Sequence, residues 1–525
     1  MRSFVGRCLP VLLLALLLNA AVAHAQPQTP PTKSLPGDPF ASGFQITPPG
    51  KALPGDPFAA RDKQGAAPKQ IQGDPFGAEP GKDPFAAQSH FDPSAVEESM
   101  ENASRERFSL HGYLETRDRV RIKNAEAISL RQRLYLESEA ILYPAKEPGG
   151  NHPLKLFASG ALDFDPAASD LSDDVPLWDL YAKEVFLTWD TDQADIILGQ
   201  KLLRFGTGDG INPLDLINPL DHRDPLATGR ADSRLPILLG LGVVPLPTMG
   251  YLQEASLEAV VVPFPQVNQL NSPGSPWESR GLKMLRQAAA QGQLILDDQE
   301  KPSQSLQNAE FALRLAATFS GWDLALIGYY GHMKSPVFSR SISTSSGGED
   351  KLRITPIHPS FTAMGFNFAK GLERSTIRGE LSLKPDLPVI LQDMNSLPGY
   401  DRRSVWEGVL GWDRTFGTNF YLNLQYFCTA LGDAAEVDGL VMDRLEHGLS
   451  YDIHDLFLDD ALESGIRGIA SFSGEGFTFE LYGEYELADG WLLAGSLLLF
   501  GGPEDGQYGQ FDDNDSVTLR LRYSF

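Results

Sequence analysis

Between residues 128 and 142 apolar and polar side chains alternate. Ile128, Leu130, Leu134, Leu136, Ala140 and Leu142 share one face, while Ser129, Arg131, Arg133, Tyr135, Glu137 and Glu139 share the other. A period of two is a strand whose successive side chains point to opposite faces. The final residues repeat the pattern, with Val517, Leu519, Leu521, Tyr523 and Phe525 set against Ser516, Thr518, Arg520, Arg522 and Ser524. A charged face of this length cannot be the dry inner face of a β-sandwich. It suits a membrane barrel, in which the greasy face meets lipid and the wet face meets a water-filled lumen.

Segments of this kind are predicted at 108–122, 127–143, 154–166, 178–191, 194–206, 234–246, 252–263, 308–319 and 322–333. They continue at 358–370, 373–385, 402–415, 417–430, 444–457, 461–473, 476–488, 490–501 and 515–525. The expected fold is all-β: a transmembrane, antiparallel, up-and-down β-barrel of about eighteen strands, sixteen being the alternative, an even number as in bacterial barrels. Tight turns at Thr191-Asp192-Gln193, Gly321-Trp322, Gly371-Leu372, Gly417-Thr418 and Asp489-Gly490 would lie on one side, and long loops at 207–233, 264–307, 334–357 and 431–443 on the other. Short periplasmic turns and long outer loops are the asymmetry of such barrels.

The start of the chain reads differently. Arg2 and Arg7, the apolar run Leu9–Leu18 and Ala23-His24-Ala25 describe a secretory signal over residues 1–25, too short to span a bilayer. Cys8 precedes the apolar run, and Cys428 is the other cysteine, so a disulfide scaffold is not expected. Residues 26–106 are rich in Pro, Gly, Ala and Gln, and repeat Gly37-Asp38-Pro39-Phe40, Gly55-Asp56-Pro57-Phe58, Gly73-Asp74-Pro75-Phe76 and Lys82-Asp83-Pro84-Phe85. Units so short and polar bury no core. This segment is expected to be a disordered periplasmic arm, either a plain linker or a tether whose phenylalanines dock on a periplasmic partner. The barrel is expected over 107–525. A formal charge of −25 argues against a nucleic-acid partner.

Gly199-Gln200-Lys201-Leu202-Leu203-Arg204-Phe205-Gly206, running into Asp209-Gly210-Ile211-Asn212-Pro213, resembles a largely uncharacterised family of porin-like Gram-negative outer-membrane barrels, more distantly similar to alginate-export channels. Arg234-Leu235-Pro236, Arg378-Gly379-Glu380 through Lys384-Pro385-Asp386, and Gly509-Gln510-Phe511-Asp512 through Phe525 carry the same likeness. Phe205 stands where the family pattern has Trp, Gln200-Lys201 is inverted, and the arm lies outside the pattern. The resemblance implies an outer-membrane barrel, to which a terminal Phe525 is suited.

The stretch Ile211–Asp224 nearly repeats itself as Ile211-Asn212-Pro213-Leu214-Asp215 and Ile217-Asn218-Pro219-Leu220-Asp221. Its apolar side, Leu214, Leu216, Ile217 and Leu220, gives it reason to fold inward. We read it as a constriction loop containing Asn212, Asp215, Asn218, Asp221, His222 and Arg223, with Asn212 and Asn218 capping short helices that start at Pro213 and Pro219. A calcium site of Asp209, Asp215, Asp221 and Asp224 is the competing reading, but the spacing is not that of an EF-hand.

Alternation aims His111, Tyr113, Glu115, Arg117, Arg119 and Arg121 of the first strand inward, with Arg131 and Arg133 of the second and Arg520 and Arg522 of the last. Closure makes these strands neighbours. Arg204 points inward at the start of the constriction loop. Two readings stand: a salt-bridge ladder with Glu115, Glu137 and Glu139, or a basic path for an anionic solute, whose carboxylate or phosphate suits guanidinium forks. The expected function is a porin-like channel for small anionic or amphiphilic solutes. The alternatives are an export or lipid-transfer barrel that works with a periplasmic or inner-membrane partner through the arm, and a structural or adhesive barrel. No zinc-protease, serine-hydrolase, Walker or paired-cysteine motif is present, so neither enzyme chemistry nor a cofactor is expected.

Overall fold

The computed structural model describes residues 108–143, 153–171, 175–223, 233–344, 350–432 and 439–525. The residues expected to form the signal and the arm, and Asp224, lie outside the described residues.

The strands follow one another in chain order. The first seven are β1 (Phe108–Arg121), β2 (Ala127–Tyr143), β3 (Leu154–Phe164), β4 (Trp178–Asp190), β5 (Asp195–Lys201), β6 (Ile237–Pro245) and β7 (Leu252–Val262). Next come β8 (Ile295–Leu296), β9 (Glu310–Phe319), β10 (Trp322–His332), β11 (Val337–Thr344), β12 (Asp350–Ile357), β13 (Ser360–Leu372) and β14 (Ser375–Ile390). The last are β15 (Tyr400–Phe416), β16 (Phe420–Leu431), β17 (Leu445–Phe457), β18 (Leu462–Ser471), β19 (Phe477–Ala488), β20 (Trp491–Gly501) and β21 (Ser516–Ser524). All but β8, β11 and β12 form one 18-stranded antiparallel sheet. It closes because β1 pairs with both β2 and β21, from Tyr113↔Ser524 to Arg121↔Ser516. Phe525 completes the seam, since it exchanges backbone hydrogen bonds with Gly112 in both directions, at 2.9 and 3.1 Å.

Closure leaves no sheet edge, so every spanning N–H and C=O can be satisfied in lipid. The outward positions are apolar and exposed, among them Leu114, Leu136, Leu198, Leu326, Leu381, Leu410, Leu481 and Leu519. Near the short turns Trp189, Tyr251, Phe319, Trp322, Phe416, Phe420 and Phe525 form an exposed aromatic girdle, as at a membrane interface. No helix among the described residues is long and apolar enough to cross a membrane; the crossing is made by strands.

Each of the eighteen expected strands is present. Strand β5 is shorter than the expected 194–206, because the chain leaves the wall after Lys201 and turns into the barrel. The loops carry structure that alternation did not reveal: helices α1 (Pro166–Leu171) and α2 (Arg280–Ala290), and a small sheet in which the β11–β12 hairpin also pairs with β8.

Candidate functional site

Two segments cross the lumen. The first leaves β5 at Lys201 and binds strands on the far side. Thr207 and Gly208 donate their backbone N–H groups to the Glu380 carboxylate of β14, the latter at 2.6 Å, and Leu214 N–H reaches its other oxygen at 3.3 Å. Asp209 pairs with Arg378 of β14 at 2.7 Å and accepts from Asn423 of β16 at 2.6 Å. Its backbone is gripped by the Gln425 amide, which accepts from Asp209 N at 2.7 Å and donates to Asp209 O at 2.6 Å. Along the wall β6, β7, β9, β10 and β13 stand between β5 and β14. A chain bonded to both spans the interior.

The apolar side of this plug is buried. Leu214 and Ile217 pack with Leu203 and Phe205 against Ile197, Ile237, Leu239, Leu241, Val260, Val262 and Ile327, all inward positions of the wall. Burying two such side chains is worth about 1.5–3 kcal/mol each. Two of the sequence segments that resemble the barrel family, around Gly206–Pro213 and around Arg378–Glu380, meet here.

The expected short helices are absent: residues 211–220 form turns. Asn218 is not a cap but a staple, its amide accepting from Leu203 N at 2.7 Å and donating to Leu235 O at 2.9 Å and Lys201 O at 3.3 Å. Tertiary hydrogen bonds outcompete the local capping geometry. Among the described residues the carboxylates of the calcium reading do not converge: Asp209 binds Arg378, Asp215 binds Arg234 and Asp221 binds Arg223 at 2.7 Å; Asp224 lies outside the described residues. Arg204 donates to Gly208 O within the plug. His222 sits where the plug leaves the lumen, against Asn268.

The second crossing segment joins β7 to β9 and carries α2. Trp277 lies with Leu498 and Phe500 of β20, with Ile128 of β2 and beside Phe511. Asn514 donates to Pro276 O at 2.6 Å, and Arg280 pairs with Glu504 at 2.6 Å. Here Ile128, expected on the lipid face, is buried under Trp277. The β1–β2 register shifts between Arg119 and Val120, and this irregularity turns Ile128 toward the mouth.

Under this cap lies the arginine wall. Arg117, Arg119, Arg131, Arg133, Arg520 and Arg522 are buried, and Arg121 is half-buried at the rim, paired with Glu126 at 2.5 Å. Register sets five of them in two rows. In the lower row Arg133, Glu115 and Arg522 stand side by side, since Glu115 is opposite both arginines. Glu115 accepts from Arg522 at 2.6 Å and from Arg131 at 3.0 Å; Arg133 forks onto Asp163 at 2.7 and 2.8 Å. In the row above, Arg117 is opposite Arg131 on one side and Arg520 on the other. Arg520 reaches sideways to Glu484 at 2.9 Å. The salt bridges tie the rows together: three arginines occupy paired backbone positions in the upper row, but Arg131 turns down to Glu115 and Arg520 turns aside to Glu484. Asp163 and Glu484 were not singled out from sequence, because neither lies on the three strands that hold the arginines.

No curated protein matches the chain. Among solved structures, Acinetobacter baumannii OccAB3 is 11% identical with a TM-score of 0.43, covering 80% of this chain and 98% of its own. Salmonella typhi OmpF in complex with daunomycin is 9% identical with a TM-score of 0.38, covering 80% and 97%. An engineered porin of Rhodopseudomonas blastica is 10% identical with a TM-score of 0.35, covering 80% and 100%. These likenesses add nothing to the barrel that strand pairing already establishes. Residues 137–525 match the family model described as protein of unknown function (DUF1302), and the chain belongs to that family.

Proposed function

We propose that the protein is a porin-like channel of the bacterial outer membrane that passes small anionic or amphiphilic solutes along its arginine wall. One observation carries this reading: the row Arg131–Arg117–Arg520, three like charges on directly paired positions. Like charges facing each other across strands repel, and Glu115 and Glu484 offset this at Arg131 and Arg520, so the row keeps a concentration of arginine that the fold has to compensate. What it supplies is a focused positive field inside a lumen, with planar forks that match carboxylate or phosphate. The lower row, with Glu115 shared between two arginines, stiffens the wall beneath it. The net acidity of the chain does not oppose this, because the field in a narrow passage is set by the nearest charges.

The test is the reversal potential of purified protein in planar bilayers under a salt gradient. Changing Arg117, Arg131 and Arg520 together to Gln is expected to leave the barrel folded and to move selectivity toward cations. The shift is expected to shrink in concentrated salt, where the screening length falls to about 3 Å at 1 M. A folded triple variant with unchanged selectivity would reduce the upper row to a structural feature. Absence of conductance from the native protein would remove the channel reading.

A further inference from the structure

The plug, the cap and the loop that carries β11 and β12 meet at Asn268. Its backbone N–H donates to Lys334 O at 2.9 Å, and its side-chain oxygen accepts from Leu220 N at 2.7 Å. Its side-chain nitrogen lies 2.9 Å from Ser335 Oγ and 3.1 Å from His222 Nε2. Asn268 O accepts from the Gln299 amide at 3.4 Å, and the same amide nitrogen lies 2.8 Å from His358 Nε2. His358 Nδ1 lies 2.7 Å from Met333 O. Beside this hub the backbones also bond, His222 N–H donating to Gln269 O and Gln269 N–H to Leu220 O, both at 2.9 Å.

These partners dictate where the imidazole protons sit. Leu220 N–H can only donate, so it takes the Asn268 oxygen and leaves the Asn268 NH2 facing His222. His222 Nε2 must then accept. Met333 O can only accept, so His358 Nδ1 carries the proton. The Gln299 nitrogen donates also to Asn268 O, which leaves His358 Nε2 as an acceptor. Both rings are held neutral by neighbours that have no acceptor to offer a second proton.

We propose that His222 and His358 form an acid-sensitive latch, in which protonation of either ring breaks its bond to an amide NH2 and releases plug, cap and outer loop from one another. The surrounding charges leave that proton little compensation. Next to His222, Asp221 is engaged by Arg223, the pair toward which Asp179 of β4 also faces. The cap side offers the amides of Asn268, Gln269 and Asn271, with Arg286 donating to Asn271 O at 2.9 Å. Around His358 stand His332, Lys334 and Lys301; Glu310 is bound to Lys334 at 2.6 Å and lies 3.5 Å from His332. Glu300 lies beside it through a backbone bond to Pro356, and Arg402 of β15 reaches Ser360 O at 3.3 Å.

Burial pulls both imidazoles below their ordinary value of 6.5, with Asp221 working the other way at His222 and the Met333 carbonyl doing so at His358. A released histidine titrates at its ordinary value. Below that value the released state therefore binds more protons and is favoured. Fastening is at full strength above it and is lost as pH falls through it.

Release alters passage only if the lumen conducts as proposed above, so the latch is tested by hydrogen exchange on the full chain in detergent or liposomes. Going from pH ~7.5 to ~5, with times scaled for intrinsic exchange, the amides of Leu220, His222, Asn268 and Gln269 are expected to exchange about tenfold faster. Strand amides of β1 and β2 serve as the unchanged reference. The H222Q/H358Q variant, which keeps an acceptor that takes no proton, is expected to lose the acid response. A wild-type protein without acid-enhanced exchange at these amides overturns the latch, whatever the variant does. So does a double variant with protected strands that retains the full response. Conductance measured at both pH values separates the two ideas: a responding hub without conductance removes the channel and keeps the latch, and conductance over an unresponsive hub does the reverse.

Discussion

The two halves of the lumen obey one strand period and end in opposite chemistry. On β1, β2 and β21 the inward positions are mostly polar and include Glu115, Arg117, Arg119, Arg131, Arg133, Glu137, Arg520 and Arg522. On β5, β6, β7 and β10 most are apolar, among them Ile197, Ile237, Leu239, Leu241, Val243, Val260, Val262 and Ile327, with Lys201 and Glu258 as buried charged exceptions. The outward neighbours on those same strands, Leu198, Leu238, Val244, Val261 and Leu326, are apolar too. Strands greasy on both faces ordinarily mean a sheet covered on both sides. Here lipid covers one side and the plug the other. An inward face in a barrel is therefore wet only where the chain supplies no cover, and the contrast between the halves marks which wall faces the passage and which seats the plug.

The sharpest way to break the contrast is to unseat the plug. Truncating a buried Leu typically costs 2–5 kcal/mol, and an Asp at Leu214 adds a carboxylate next to Glu380. L214D is expected to leave the strands protected and heat-modifiable while single-channel conductance rises, and excising residues 211–225 is expected to raise it further. Unchanged conductance with a demonstrably released plug would mean that another element limits passage.

A smaller effect is expected on the charged half. E115Q removes the carboxylate shared by Arg131 and Arg522. Breaking a buried ion pair costs up to about 3–5 kcal/mol, less where lumen water can reach the freed guanidinium. The variant is expected to melt lower than wild type and to select more strongly for anions. A lower midpoint with weaker anion preference would contradict the division into a structural lower row and a functional upper row.

The smallest effect is expected from the arm. Deleting residues 26–100 is expected to change neither half, leaving assembly and conductance as they are. Failure to assemble would end the linker reading, whereas intact conductance with transport lost in cells would favour a partner for the Asp-Pro-Phe repeats.

The strands were legible because lipid and lumen impose polarity on alternate residues over the whole barrel. The arginine cluster was legible for the same reason, with closure supplying the neighbours. What was not legible depends on contacts distant in sequence. Asp163 and Glu484 are recognisable as partners only once register is known. Glu380 and Gln425 become anchors of the plug only across the interior. Asn212 and Asn218 were read from local capping preference, and long-range hydrogen bonds overrode it at Asn218. The β8–β11–β12 sheet has strands too short for periodicity to show. A usable signal was present in Ile237–Val243, apolar at each inward and non-glycine outward position, which already asked for a cover on both sides.

A ring of strands joined only edge to edge fixes its circumference but not its cross-section, since a hoop can flatten without breaking any bond along its rim. The bond from Asp209 to Arg378, and the amide grip of Gln425 on the same residue, place a chord across that hoop. A chord fixes the distance between the points it joins, so the plug that fills one side of the lumen also braces the hoop in that direction. The arginine rows stand on the longer arc of the same hoop, away from the strands that anchor the chord, in a cross-section braced against lateral pressure from the bilayer.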